Sequence, residues 1–456
     1  MNCLPRYVVH LLDLSDELIL AIMNQVKPHV LLLCSIVSIG NNRLEQLALD
    51  KCQSIDLTFD YLQSLHESLF QRFYSHVLPR IFNNIQSLTL HIQHLHNILT
   101  FIEKNSDKSF PNFTHLRIMP CKRNPKTGTP YTLDCICLLK QLGQQLDSFI
   151  VSIVYVDGTE LRLMFKISSI LCPNLKHLSM TIYRNFDDYK KCFVPLLQRL
   201  SNVKFLTLLL AIGETGKTPN HFIDGYDLEN DIIAYMPHLC QFNFHIRSIL
   251  ENAPHVELDT IRQSFFRQQS VNCAVNYFNN NYGQCQIYSL PFIGTRLDFI
   301  FNRFPLFDIT NTFCMVTTLL LFDDIEPFES IFFERLAQAL PHLRTLEIIN
   351  KREQKDKIRT TTNNLKFSHL TTLILFDIHM NYVEQLLSRT YLPSLNELAI
   401  CNDILLAIIN QNQHQTRDNC SRVERLQTSE PLYNSVNVVQ NYFPSDSYLK
   451  QLVEKQ

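Results

Sequence analysis

The sequence predicts an α/β solenoid, in which short parallel strands alternate with outer helices, preceded by a small all-α segment. Three observations predict this fold: a short motif recurs along most of the chain, its apolar residues alternate, and apolar residues at helical spacing separate its copies. The chain has 456 residues, of which 46% are hydrophobic, and a formal net charge of −2. It is too long for one ordinary core, and its charge balance gives no footprint for nucleic acid or anionic membranes.

Residues 1–50 are expected to form helices. Ser15 is expected to be the N-cap of the first helix, and two acidic residues follow in the first turn, where the helix dipole favours them. Pro28 ends that helix. A second apolar run covers 30–39, and a third helical run begins after it. We expect a helical segment that precedes the repeats.

The recurring motif is Pro-x-Leu-x-x-Leu-x-Leu, with conservative changes. Its clearest copies span 111–118, 173–180, 237–244, 341–348 and 393–400. Counting copies that lack the proline, the first apolar residue lies at 85, 113, 175, 203, 239, 316, 343, 370 and 395. Most of the sequence distances between successive copies are close to the length of one unit made of a strand and a helix. Weaker copies begin at Cys52 and Leu146, and an irregular insertion is expected near 250–310, where an Asn-rich stretch breaks the spacing.

Alternate apolar residues within each copy place one side of a short strand in the core. The motif therefore predicts parallel strands at 85–90, 115–118, 148–151, 177–180, 205–208, 241–244, 318–321, 345–348, 372–375 and 397–400. The core should bury Leu178, Leu206, Leu346, Leu373 and Leu398. After the repeats, residues 401–456 are expected to form a C-terminal cap with a flexible polar loop over 411–430, because the last unit must cover its open edge.

Residues 51–400 resemble the leucine-rich-repeat family, particularly its irregular intracellular members. The family's usual Asn or Cys after each motif is mostly absent, because those positions hold Gln93, Cys121, Tyr183, Ile378 and Asp403. The resemblance implies a curved solenoid with irregular stacking. It also implies a binding surface on the exposed side of the strands, with His177, Lys204, Arg344, Thr372 and Glu397 among its side chains. Their mixed charge favours a protein substrate over a nucleic acid.

The N-terminal segment resembles an F-box. The matching positions are Leu14, Glu17, Leu18, Ile22, Val26, Pro28, Leu31, Leu32 and Val37, whereas Ser15 replaces the family's Pro and the late Trp is absent. The resemblance implies docking onto a Skp-type adaptor protein, and hence a substrate adaptor for a Skp–cullin–F-box ubiquitin ligase. The residues expected to contact that adaptor are Leu14, Glu17, Leu18, Ile22, Val26, Pro28 and Leu31.

Two other functions remain open. The N-terminal helices can be a cap that shields the first repeat, which makes the chain a repeat scaffold without an adaptor. A Walker A-like stretch at 211–218, with Lys217 and Thr218, and Asp323 on a distant strand make a P-loop nucleotide binder a remote third alternative. Pro219 and Gly225 disfavour the helix that such a site needs.

The sequence shows no catalytic, metal-binding or cofactor-binding constellation, so we expect a protein that is not an enzyme. Its 14 cysteines are scattered singly, without the spacing of a zinc site or redox motif. Asp13, Asp16 and Glu17 interrupt the first apolar stretch, which a signal peptide would not tolerate. We therefore expect an intracellular protein, cytoplasmic or nuclear, that does not bind membranes.

Overall fold

The structure is a computed structural model, and the residues it describes fall into many ranges. These are 10–26, 29–37, 39–50, 52–58, 63–104, 111–119, 131–153, 170–186, 189–214, 221–265, 270–278, 282–307, 312–355, 365–429 and 442–444. Contacts divide the chain into two compact units. Unit 1 holds residues 1–213 and 226–242, and unit 2 holds residues 214–225 and 243–456.

Helices precede the first strand and separate many of the later ones. They are α1 Asp16–Gln25, α2 His29–Ile36, α3 Asn42–Asp50, α4 Gln63–Arg72, α5 Leu78–Ile81, α6 Leu95–Lys104, α7 Tyr131–Leu142, α8 Val194–Gln198, α9 Gly225–Asp231, α10 Leu258–Gln263, α11 Ser330–Ala339, α12 Met380–Val383, α13 Asn402–Asn410 and α14 His414–Cys420. Single π-helical turns cover Phe73–Val77, Tyr189–Phe193 and Glu384–Ser388. Within the described ranges, no helix is long and apolar enough to cross a membrane.

The described strands are short and mostly parallel. They are β1 Ser54–Leu57, β2 Ser87–His91, β3 His115–Met119, β4 Ser148–Ile153, β5 His177–Phe186, β6 Phe205–Glu214, β7 Gln241–Glu251, β8 Val271–Tyr277, β9 Tyr282–Ser289, β10 Arg296–Ile300, β11 Thr318–Phe322, β12 Thr345–Ile349, β13 Thr372–Leu375, β14 Glu397–Ile400 and β15 Arg425–Thr428.

In unit 1, β1 to β6 pair in parallel and in chain order. The register aligns the second residue of every strand, so that like side chains stack into one row. That row consists of Ile55, Leu88, Leu116, Phe149, Leu178 and Leu206, none more than 2% exposed. Alternation buries the fourth residues as well, whereas most first and third residues stay outside the core. The repeated motif therefore builds the core of this unit as a continuous stack.

In unit 2, β10 to β15 also pair in parallel and in chain order. Their inward rows join helix side chains in one apolar core that includes Leu346, Leu373, Phe332, Tyr382 and Ile408. Helices therefore cover one side of this sheet. β7 begins in unit 1 and continues in unit 2, where β9 pairs with it in antiparallel fashion and β8 pairs with β9 in the same way.

The backbone before each strand carries a second regular pattern. The carbonyl of Lys176 accepts hydrogen bonds from the N–H groups of Lys204, at 2.8 Å, and Phe205, at 2.9 Å. The carbonyl of Arg344 accepts from Thr371 and Thr372 at the same two distances. The same double acceptance occurs at Gln53, Gln86, Thr114, Asp147, Lys204, Thr295, Thr317, Thr371 and Asn396. Successive strand starts are therefore joined, and their backbone groups are satisfied.

Asparagine side chains add a ladder at these turns in unit 1. The Nδ2 of Asn112 donates to the carbonyl of Asn83 at 2.7 Å, and that of Asn174 donates to Gln144 at 2.6 Å. Asn202 continues the series to Pro173 at 2.8 Å. The family's usual Asn or Cys after each motif is mostly absent from the sequence, and asparagines before the motif instead stabilise the turns that open β3, β5 and β6.

All ten strands predicted from the motif are found, and the five leucines expected in the core are buried. Strands β8 and β9 were not predicted and form an antiparallel hairpin within the expected insertion, and β7, which was expected to be parallel, pairs with β9 in antiparallel fashion. The expectation of a flexible polar loop over 411–430 is also wrong. That stretch holds α14 and β15, and Cys420, Val423 and Leu426 bury apolar surface there.

Candidate protein-docking surfaces

Helix α1 has one buried side and one exposed apolar side. Ile19 and Met23 are buried with Ile36 and Leu44 in a small core of the three N-terminal helices. On an adjoining side of the helix, Leu18 is 54% exposed, Ile22 46% and Val26, the residue after the helix, 37%. These three lie four residues apart, so they form one stripe along the helix, called here the docking stripe. An exposed apolar stripe is typical of a surface that binds another protein.

Arg43 on α3 holds the start of this segment in place. Its guanidinium forms an ion pair with Asp16 at 2.8 Å and donates to the backbone carbonyls of Leu12, at 2.7 Å, and Leu14, at 2.8 Å. The planar fork of arginine suits several acceptors at once. Arg43 could not be recognised from the sequence, because no motif distinguishes it from an ordinary surface arginine.

Helix α2 attaches the segment to the rest of unit 1. Val30, Leu33 and Val37 are buried. Arg72, at the end of α4, donates to the carbonyls of Cys34 at 2.7 Å and Val37 at 2.9 Å. Helix α2 thus packs against β1 and α4, whereas α1 keeps an apolar side in solvent.

The other residues expected to bind an adaptor lie near the docking stripe or outside the described residues. Leu14 and Leu31 are half-buried, and Glu17 is exposed. A hydrogen bond from its own backbone and a second one from Ser15 lower the pKa of Glu17. Pro28 lies outside the described residues. Leu11 and Leu12, which the sequence analysis did not include, are exposed as well.

On the strands, the expected substrate residues do not all share one register. His177, Thr372 and Glu397 are first residues of β5, β13 and β14. Lys204 and Arg344 each lie one residue before the first residue of β6 and β12, so neither belongs to the row of first strand residues. According to the strand pairing, Phe205 on β6 occupies the position that His177 has on β5, and Thr345 on β12 occupies the position that Thr372 has on β13.

Phe205 changes the chemistry of this surface in unit 1. It is exposed, and its ring stacks on His177 with the ring centroids 4.6 Å apart and the planes within 5°. Such a stack offers an aromatic contact surface where the sequence analysis expected a lysine. The sequence could have shown that Phe205 occupies this position, because it lies two residues after the first apolar residue of its copy of the motif, as His177 does.

Of the Walker A-like stretch, the structure describes only 211–214, which form the end of β6. Lys217 and Thr218 lie outside the described residues. Asp323 is buried, and its carboxylate accepts hydrogen bonds from the N–H groups of Asn302, Ile325 and Glu326 at 2.9–3.0 Å. The carboxylate oxygens of Asp323 thus stabilise the turns after β10 and β11. Within the described ranges, no group of three or more metal-ligating side chains comes together.

The docking stripe and the outward side of the strands are therefore the features that indicate a function. An apolar stripe on a helix that is otherwise packed, and rows of side chains on the outward side of stacked strands, are features of proteins that bind other proteins. Comparison of the sequence with models of known protein families and with curated proteins gave no match to either.

Proposed function

We propose that the chain is a protein-binding adaptor, the substrate-recognition subunit of a Skp–cullin–F-box type ubiquitin ligase. In this proposal residues 1–50 are a divergent F-box, residues 51–400 are a divergent leucine-rich-repeat solenoid, and the outward side of the strands holds the substrate. The in-register parallel stacking of β1 to β6 and of β10 to β15 supports the solenoid.

One observation supports the adaptor function most. Leu18, Ile22 and Val26 are exposed at the positions where the F-box resemblance expects contacts with the Skp-type protein. A helix that served only as a cap would bury its apolar residues against its own chain. Burial of the docking stripe in a partner would supply about 25 cal/mol per Å² before the costs of association.

The second candidate is a repeat scaffold whose N-terminal helices only cap the array. Helix α2 favours it, since Val30 and Val37 are completely buried and Arg72 ties the end of α2 to α4. The two candidates differ in α1. A cap has no need of the docking stripe, whereas an adaptor requires it.

Substitution of Ile22 by Glu separates the two. We expect Ile22→Glu to weaken binding of a purified Skp-type adaptor at least about tenfold, because its carboxylate would be desolvated without a counter-ion. Titration calorimetry of the full chain with that adaptor measures the effect, and circular dichroism checks that the variant is folded. A matched control is Ile331→Glu on α11, which replaces a similarly exposed isoleucine of unit 2.

The control should leave the affinity for the adaptor unchanged. If the wild-type chain does not bind the adaptor, or if both variants bind it as the wild type does, the ubiquitin-ligase function is wrong and the scaffold is favoured.

A further inference from the structure

The outward side of the sheet in unit 1 carries an exposed aromatic pair beside basic side chains. Five exposed residues define what is called here the basic face: His115 and Arg117 on β3, His177 on β5, Phe205 on β6, and Lys204 directly before β6. Alternation places the four strand residues on the side opposite the buried row of second residues. The basic face is therefore available to a partner rather than to the core of unit 1.

The aromatic pair gives the basic face an apolar contact. Phe205 is 40% exposed although its ring lies flat on the imidazole of His177. The stack holds the ring in place before any partner arrives, so little side-chain entropy is lost on binding. Exposed aromatic side chains of this kind are enriched at the centre of protein interfaces. A partner of this face thus needs an aromatic or aliphatic side chain.

The charges of this surface leave two cations after the ion pair within it is counted. From β3 to β6, the first and third strand residues and the residue before each strand include four charged side chains: Arg117, Asp147, Lys176 and Lys204. Asp147 is already paired with Lys176 at 2.5 Å. The Nε of Arg117 donates to the Sδ of Met119 at 3.3 Å, which leaves its charge uncompensated. Among the described residues, neither Arg117 nor Lys204 has an ion-pair partner.

Small hydroxyl side chains lie between these cations. Ser148 on β4 is buried, and Ser179 on β5 and Thr207 on β6 are half-buried. Because these side chains are short, a peptide backbone can approach the sheet, and the hydroxyls can exchange hydrogen bonds with its amide groups. Three strand spacings separate β3 from β6, which is about 14 Å, or about four residues of extended chain.

We propose that the basic face binds an acidic segment of the substrate protein, which crosses the strands from β6 to β3. An aromatic or aliphatic side chain of the segment packs on Phe205, and a carboxylate beside it pairs with Lys204. A second carboxylate, about four residues away, pairs with Arg117. The inference rests on the proposed function, since it assigns a chemistry to the substrate of the adaptor. Charge repulsion disfavours basic segments.

The same charges favour a protein segment over a nucleic acid. The carboxylate of Asp147 lies directly before β4, between the two cations, and Asp56 lies on β1 beyond them. A continuous phosphate backbone would meet both negative charges. Single-stranded nucleic acid also stacks successive bases on several aromatic side chains, whereas His177 and Phe205 form a single stack.

The test uses the full chain and short fluorescent peptides. One peptide has phenylalanine beside an aspartate and a second aspartate four residues away. A second peptide has lysine for each aspartate, and a third has serine for the phenylalanine. Fluorescence anisotropy should detect binding of the first peptide, with the other two at least about tenfold weaker. A single-stranded RNA of similar length should also bind at least about tenfold more weakly than the first peptide.

Two substitutions test the charged and the aromatic contact separately. Lys204→Glu should weaken the acidic peptide at least about tenfold and strengthen the lysine peptide, because it reverses one charge of the face. Phe205→Ser should weaken the acidic peptide but keep the preference for it over the lysine peptide. The carbonyl of Lys204, which joins β6 to the next strand, remains in the first variant, so both should stay folded by circular dichroism.

Lys140→Glu on α7 and Leu171→Ser are the matched controls, because they change an exposed lysine and an exposed leucine of unit 1 outside its strands. They should change none of these affinities. Equal binding of the acidic and lysine peptides, no binding of the acidic peptide, or equally tight binding of the RNA would overturn the proposal. Adaptor binding, measured on the same preparation, tests the proposed function separately, because the docking stripe takes no part in peptide binding.

Discussion

Large apolar side chains at the second strand position carry much of the stability of each unit. Leu346 on β12 is fully buried between Leu319 and Leu373 in the register. We expect Leu346→Ala to lower the free energy of unfolding by about 2–5 kcal/mol, through lost burial and the cavity that remains. Denaturant unfolding measures the change. Leu171→Ala, at a position 63% exposed, should change it little; equal effects would contradict the assigned core.

His245 on β7 links stability to pH. Burial lowers its pKa from 6.5 to about 4, although its hydrogen bond with Gln286 opposes the change. The unfolded chain therefore binds this proton more readily, so stability is full above pH 6.5 and falls as the pH drops toward 4. We expect a smaller free energy of unfolding at pH 5 than at pH 7, and a weaker pH dependence in His245→Gln. An unchanged dependence in that variant would exclude His245 as a source.

At the scale of elements, the paired backbone hydrogen bonds before each strand should be measurable. The N–H of Thr345 donates to the carbonyl of Thr317 at 2.9 Å. Thr345→Pro removes that donor and restricts Arg344 before it, so we expect a loss of about 1–3 kcal/mol in unfolding free energy. Thr345→Val keeps the N–H and should be nearly neutral in the same denaturant titration. A neutral proline variant would mean that this pattern contributes nothing.

The sequence predicts strands well where the motif is intact, because alternation and a preceding turn determine both the register and the buried side. It fails for β8 and β9, whose antiparallel pairing arises from a hairpin without the motif. β15 was missed although Val423 and Leu426 keep the spacing, because Thr428 replaces the last apolar residue. Lys204 and Arg344 directly precede the strands predicted at 205–208 and 345–348, and one residue decides whether a side chain belongs to a strand row.

For the docking surfaces, the sequence predicted the exposed residues of α1 through the F-box resemblance, since helical spacing separates Leu18 and Ile22 from Ile19. It did not predict that apolar side chains such as Leu320 on β11 and Ile374 on β13 lie on the outward side of the sheet in unit 2. Leucine and isoleucine at outward positions look like core residues until the pairing shows which side each one occupies. The ring of Phe322, for example, packs against the rings of Phe278 and Phe299, which come from other strands and loops of unit 2.

For the whole molecule we propose two binding surfaces of different kinds, one on α1 and one on the outward side of the strands. Hydrogen exchange of the full chain with and without a purified Skp-type adaptor tests the adaptor function most directly. We predict that binding slows exchange of the backbone N–H groups over 16–26, with little change in β11 to β14. No binding, or protection confined to the strands with 16–26 unchanged, would contradict the adaptor function.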